Sequence, residues 1–323
     1  MTDQALLQEL DTLVRETYLL WEPGWVTFNW REYTYDHVQR VRALALTLAT
    51  REHANAEVVE LAALLHDVTK SYDGEYVTDA NGQRIVDANG QWHNHLRPPV
   101  ASNEATALFD ELHLAGTLHN VSGAAVARTL LARRGVAPNT CERAAVAIAD
   151  HLSPPADARI ESLCLYDADT IDANIGLPAF VRNIYIHLHF YEQREASAGS
   201  LDELLVNEPL TYLGPYVREK LRPWAEGKLR DLCPRLRTAA GRELAETRLR
   251  RLEATFSQLE AELQTLATSL QHGGLAVLLH YMRHRDRASI AAKTRSLVHD
   301  CAVRNGAART LIEAIDRECR GLE

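Results

Sequence analysis

A chain of 323 residues with 46% hydrophobic content can bury one large core or two modest ones. A formal net charge of −9 works against a general nucleic-acid binder, which needs a basic surface, but leaves room for a small anion in a local pocket. The cysteines Cys141, Cys164, Cys233, Cys301 and Cys319 are scattered and lack CxxC spacing, which suits free thiols in a reducing compartment. The N-terminus is acidic and amphipathic without a signal-peptide core, and no apolar run approaches a membrane span. The expectation is a soluble, cytoplasmic protein.

Residues 3–20 carry Leu6, Leu7, Leu10, Leu13 and Val14 at helical spacing. The aromatic stretch 21–35 contains Pro23 and Gly24 and reads as a loop packed on the core. A helix is expected from near Tyr35, with Val38, Val41, Leu44, Ala45 and Leu48 buried and His37 in its first turn. Taken alone, His37 reads as a structural histidine. The next helix runs through Val58, Val59, Leu61, Ala62, Leu64 and Leu65 into His66 and Asp67. A polar insertion follows at 72–99, in which DANGQ occurs at 79–83 and again at 87–91. Each Asn-Gly favours a tight turn and the RIV between them suits a strand, so a hairpin-like flap is expected. His93 and His95 lie there and read as solvated loop residues.

Helical character resumes at His119 in HNVSGAAVARTLLARRG, with Gly135 suited to a C-cap. Asn139 or Thr140 can cap the helix CERAAVAIADHL, which closes at His151 before Pro154 and Pro155. The segment 162–176 then places Asp167, Asp169 and Asp172 in an otherwise apolar helix, where they need cations or water. An apolar, aromatic stretch at 180–191 precedes a polar loop to about Tyr212. A long helix is expected over 242–270, where Ala245, Leu249, Leu252, Phe256, Leu259, Leu263, Leu266 and Leu270 form a heptad stripe. That stripe suits either a coiled coil between two copies or a helix laid on its own chain. Two or three short helices complete the chain over 275–322.

The chemistry concentrates in LAALLHDVTK, residues 61–70. An apolar helix that delivers an imidazole and a carboxylate side by side asks for a partner, because a carboxylate is rarely buried alone. His37, His66, Asp67, His119, His151 and Asp169 all sit at helix ends or in apolar helices. Imidazole and carboxylate together suit Mn, Fe, Co, Ni or Zn better than Mg or Ca. Four ligands can hold one ion with open positions; His119 and His151 can build a second site with Asp67 bridging, or can face phosphate. Lys70 and Arg182 are cations suited to phosphate oxygens.

The order H…HD…D, here YDHVQRV, LLHDVTK and LYDADTID, resembles the HD-domain metal-dependent phosphohydrolases. HNVSGAAVARTLL, AIADHLSP, DADTIDANIGLPAFVRN and a tail through TAAGRELAETRLRRLEATF are similar to a bacterial branch resembling nucleoside triphosphate pyrophosphohydrolases. The resemblance implies an all-α, HD-domain helical bundle with an inserted hairpin-like loop and a C-terminal helical extension. Its divisions would be 1–34, a helix and aromatic loop on the core; 35–195, the HD domain with insertion 72–99; and 196–323, the extension. The implied metal ligands are His37, His66, Asp67 and Asp169, with Asp167 and Asp172 supporting them. The implied catalytic residues are Asp67, Lys70, His119, His151 and Arg182. Thr69 replaces the usual glycine before the lysine, and Leu177–Pro178 alter the second glycine region.

The function so implied is a metal-dependent phosphohydrolase. Metal-activated water would attack a phosphate ester or anhydride, expected to be that of a nucleotide. One or two divalent transition-metal ions would serve each chain. The partner expected is a small phosphorylated substrate, with no membrane; a second copy through the heptad helix is one of the two readings of that stripe. Two alternatives stay open: a di-iron oxygenase of the same superfamily, and a non-catalytic, metal-stabilised scaffold that senses a nucleotide.

Overall fold

Local signals start most helices where the apolar periodicity places them. In the computed structural model, which describes residues 3–22, 31–77, 79–80, 85, 94–194, 201–265, 270–285, 289–299 and 306–322, Asp3 caps α1 (Gln4–Tyr18) by accepting from the Ala5 N–H at 3.0 Å. α2 (Arg31–Arg51) begins at Arg31 rather than near Tyr35, so His37 lies in its second turn and not its first. Glu32 in the first turn suits the positive end of the helix dipole and supports this earlier start. Trp21 is buried and donates Nε1–H to the Arg97 carbonyl at 3.0 Å, which ties that end of the aromatic stretch down. The rest of the stretch, 23–30, lies outside the described residues.

Compactness divides the chain into two units, Met1–Ala168 and Asp169–Glu323. The first holds α1, α2, α3 (Ala56–Leu65), α4 (Glu104–Glu111), α5 (His119–Arg133) and α6 (Pro138–Asp150); α7 (Ile160–Asn174) runs across the division. α3 is its hub, packing against α1, α2, α5 and α6. Val58, Val59 and all of Leu61 to Leu65 are buried, as a helix apolar all round requires. Asn55 accepts from the Val58 N–H at 3.2 Å to start it. α5 ends with Gly135 at φ +73°, the left-handed position that favours glycine, as expected. α6 departs from expectation. Pro138 takes its first position after Ala137, whose preset φ replaces capping by Asn139 or Thr140.

Between α3 and α4 the chain makes a 3₁₀ turn, Lys70–Asp73, and then one short strand pair. β1 (Glu75–Tyr76) pairs antiparallel with β2 (Asn94–His95), in the register Glu75↔His95 and Tyr76↔Asn94. The Ile85 N–H donates to the Val77 carbonyl at 2.9 Å. The base of the insertion is therefore hairpin-like. Ile85 is not in a strand; Arg84, Val86, both Asn-Gly turns and His93 lie outside the described residues, and His95 is exposed.

The second unit holds α8 (Leu177–Arg194), α9 (Leu201–Asn207), α10 (Pro209–Asp231), α11 (Ala239–Glu262), α12 (Gly274–Arg283), α13 (Ile290–His299) and α14 (Gly306–Cys319). α9 and the first turn of α10 replace the expected polar loop, with Pro209 preorganising the start of α10. α11 stops at Glu262 instead of continuing to Leu270. At that end the Glu262 carboxylate accepts from the Gly274 and Leu275 N–H groups at 2.9 Å each and so caps α12. Along the stripe, Ala245, Leu249, Leu252, Phe256, Leu259 and Leu263 are all buried by the chain itself.

Among the described residues the fold is all-α apart from the strand pair. Among the described residues no helix is long and apolar enough to cross a membrane, and Cys141, Cys164, Cys233 and Cys319 are free thiols.

Candidate metal centre

Four imidazoles meet one carboxylate inside the first unit. His66 caps the C-terminus of α3 and Asp67 follows it; His37 comes from α2, His119 opens α5 and His151 caps the end of α6. All five are buried, Asp67 at 1% exposure and His66 at 0%. The negative ends of α3 and α6 converge here, which favours positive charge.

The two oxygens of Asp67 serve different imidazole pairs. Oδ2 lies 3.8 Å from His37 Nε2 and 3.6 Å from His66 Nε2. Oδ1 lies 3.3 Å from His119 Nε2 and 3.7 Å from His151 Nε2. Two ligands on a tetrahedral ion with bonds of about 2.1 Å stand about 3.4 Å apart. His37, His66 and Asp67 thus form one group at coordination spacing, and Asp67, His119 and His151 another.

The outer hydrogen bonds set the imidazole tautomers. His66 Nδ1 faces the Ala63 carbonyl at 2.7 Å and His151 Nδ1 the Ile148 carbonyl at 2.6 Å. His119 Nδ1 faces the Asp73 carboxylate Oδ2. Neither a carbonyl nor a carboxylate oxygen can donate, so each Nδ1 carries a proton, which leaves Nε2 as the atom through which each ring can ligate a metal. The His119 and His151 Nε2 atoms are 3.2 Å apart. Two nitrogens at that separation share a proton or face a cation, Lys70 or a metal ion. The donor set therefore fits a divalent transition metal on chemistry as well as on spacing.

Lys70 is the cation already present. Its Nζ is 3.2 Å from His119 Nε2 and 3.5 Å from Asp67 Oδ1. Burial alone would raise the Asp67 carboxyl pKa, but Lys70, then His66, His119 and His151, outweigh it and hold the group well below the ordinary carboxylate range. Asp67 is thus an anion in a buried place. Tyr18 donates its hydroxyl to the Asp67 carbonyl at 2.8 Å, and burial followed by the Asp67 charge pushes that phenol well above its ordinary pKa.

Several supporting residues carry no signal in the sequence pattern. Asp73 also accepts from the His119 N–H at 3.0 Å through Oδ1, so one carboxylate caps α5 and orients its first ring. Its position three residues after Lys70, just before the left-handed Gly74, is the only hint of that role. Thr69 donates to the His119 carbonyl at 3.1 Å and contacts Ser122 Oγ at 2.9 Å. Gly123 lets α5 approach the end of α3: a Cβ there would lie 3.1 Å from the His66 carbonyl oxygen.

The structure thus brings His37, His66, Asp67, Lys70, His119 and His151 together. Asp169 on α7 and Arg182 on α8 belong to the second unit, as does Asp172; buried Asp167 lies in the first.

No curated protein matches the sequence. Among solved structures, a predicted HD superfamily hydrolase from an uncultured Thermotogales bacterium is similar, at 19% identity over 79% of this chain and 92% of that one, with a TM-score of 0.44. Bacillus subtilis YpgQ is similar at 19% identity over 81% of this chain and 97% of its own, with a TM-score of 0.39. Its complex with ADP gives 18% identity, the same coverage and a TM-score of 0.39. Likeness that low carries no argument about function. Residues 34–174, which contain His37, His66–Asp67, His119, His151 and Asp169, match the HD domain family.

Proposed function

We propose that the chain is a metal-dependent phosphohydrolase acting on a phosphate ester or anhydride of a nucleotide. The observation that carries the reading is the Asp67 carboxylate, with each oxygen facing its own imidazole pair at coordination spacing. In this reading His37, His66, Asp67 and Asp169 hold the first ion, and the HD domain extends over 35–195. A divalent metal bound there lowers the pKa of water and neutralises charge on a phosphoryl oxygen.

The chain's own groups supply the rest. Lys70, fixed by Asp67 and His119, offers ammonium protons to a phosphoryl oxygen. His119, oriented by Asp73, and His151, oriented by the Ile148 carbonyl, stabilise charge on the phosphoryl group or hold a second ion. Arg182 holds a further phosphate oxygen. Asp67 orients the attacking water. A cytoplasmic location follows from the expected substrate.

The shared use of Asp67 by two imidazole pairs favours one alternative, a di-iron oxygenase. The contact of Lys70 with the same Asp67 oxygen and the His119 nitrogen opposes a second ion there, which keeps hydrolysis ahead. The test is a panel of Mn, Fe, Co, Ni and Zn against a panel of nucleotides, read as phosphate and pyrophosphate release. Turnover abolished by His66→Ala is expected. Metal bound with no turnover in any combination refutes hydrolysis; two irons per chain with oxygen consumption selects the alternative, and nucleotide binding indifferent to His66→Ala selects a scaffold.

A further inference from the structure

The turn that carries Asp67 is held from outside the helix that delivers it. α3 ends at Leu65, and the carbonyls of a last helical turn have no partner within the helix. Two of them are met locally, Ala63 by His66 Nδ1 at 2.7 Å and Leu65 by the Val68 N–H at 3.1 Å. The Asp67 carbonyl is met twice. It accepts from the Lys70 N–H at 2.9 Å and from the Tyr18 hydroxyl at 2.8 Å. A backbone carbonyl oxygen has two lone pairs, so both are used. One oxygen thereby ties the peptide of Asp67 to that of Lys70 and to the end of α1, 49 residues away in the chain.

Tyr18 is itself fixed. Its ring is 2% exposed. One residue before it, Thr17 Oγ1 accepts from Asn103 Nδ2 at 2.8 Å. Just after it, the Leu20 carbonyl accepts from the Val100 N–H at 2.7 Å, and Trp21 meets the Tyr72 ring edge-on with centroids 4.9 Å apart. An anchored helix end thus presents the hydroxyl, and a buried tyrosine hydroxyl needs such an acceptor. Any movement of Asp67 acts on both imidazole pairs at once, because Oδ2 faces His37 and His66 while Oδ1 faces His119 and His151. Metal–ligand distances tolerate only about 0.2 Å, so the peptide bearing a shared ligand needs a fixed place. α1 precedes residues 34–174, so the stretch that matches the HD domain family does not include this support.

We propose that Tyr18 is a positioning residue of the metal centre: its hydroxyl, through the Asp67 carbonyl, fixes the ligand Asp67 and with it Lys70. The inference rests on the reading of Asp67 as a metal ligand and is independent of which bond is cleaved.

Tyr18→Phe removes the hydroxyl and keeps the ring. Thr17→Val is the control, because it removes a neighbouring buried hydroxyl of α1 that contacts Asn103 and the Leu13 carbonyl but not the Asp67 turn. The full chain, stripped with EDTA and dialysed, is titrated calorimetrically with Mn²⁺ and separately with Zn²⁺, and thermal melts are recorded for the wild type and both variants. The two variants are expected to lose stability to a similar extent. Only Tyr18→Phe is expected to weaken metal binding, by about tenfold, the low end of the loss on removing a group that orients a ligand. Unchanged affinity in folded Tyr18→Phe overturns the proposal. So does an equal loss in Thr17→Val, which marks a general loosening of α1, and so does a wild type that binds neither ion. Metal bound without nucleotide turnover leaves Tyr18 in its role and removes hydrolysis; turnover with wild-type metal affinity in Tyr18→Phe does the reverse.

Discussion

Replacing Asp73 by alanine and by asparagine separates its two tasks. Its Oδ1 caps α5 through the His119 N–H at 3.0 Å, and its Oδ2 holds the Nδ1 proton of the same residue. Alanine removes both. The cap is worth about 1 kcal/mol. The charge-assisted bond to the ring is worth about 1.5–3 kcal/mol in full burial, but the Asp73 side chain is 18% exposed, so water replaces part of it. A stability loss of about 2 kcal/mol is expected from these two terms. Asparagine keeps an oxygen for the cap, and stability stays near that of the wild type. It sets an NH₂ where the ring proton points, however. The proton then moves to Nε2, and His119 can no longer present a lone pair toward Asp67 and His151. Loss of a ligand's outer partner costs about 10–100-fold in metal affinity or activity. Chemical denaturation paired with metal titration and turnover reads both variants. If Asp73→Asn matches the wild type in metal affinity, metal stoichiometry and rate, the tautomer assignment at His119 is wrong.

Four other outcomes follow from the structure. Gly123→Ala gains about 1 kcal/mol of helix propensity but presses a methyl group against the His66 carbonyl at 3.1 Å, a clash worth about 1–3 kcal/mol; a small net loss in melting temperature with a larger loss of turnover is expected. Glu318, fully buried, accepts from the Leu177 N–H at 2.6 Å and pairs with Arg251, so Glu318→Ala should cost about 3–5 kcal/mol in urea unfolding by leaving buried cationic partners uncompensated. Burial raises the Glu318 pKa against the opposing pull of Arg248 and Arg251. Its contribution is therefore full below the unfolded value of about 4.3 and lost as pH rises through the folded one, and Glu318→Gln should remove that decline from a pH series of unfolding free energies. Saturating metal at about a hundred times its dissociation constant should stabilise the protein by about 2.7 kcal/mol, and chelation should reverse this; a melting temperature indifferent to both contradicts a preformed centre.

The positions of the ligand candidates were legible along the chain because each is a local event. An apolar run ending in His66–Asp67, a helix opening at His119 and another closing at His151 are all visible from hydrophobic period and breakers. The same reasoning missed where no local signal existed. α11 ends at Glu262, whose carboxylate caps a helix that begins at Gly274, and nothing within the heptad stripe announces it. The segment after Arg194 is polar enough to pass for loop, yet α9 buries Leu201 and Leu205. Periodicity was equally silent on whether the α11 stripe meets its own chain or a second copy.

Composition and pattern alone determined the helical class, the candidate imidazoles and carboxylates, and the kind of ion they suit, because helix ends and side-chain chemistry are properties of short segments. Only the tertiary structure decided that the two oxygens of Asp67 divide His37 and His66 from His119 and His151, and that Asp73 commands a ring proton. Those facts depend on how α2, α3, α5 and α6 pack, and directional contacts between distant segments are set by that packing and by nothing the segments carry individually.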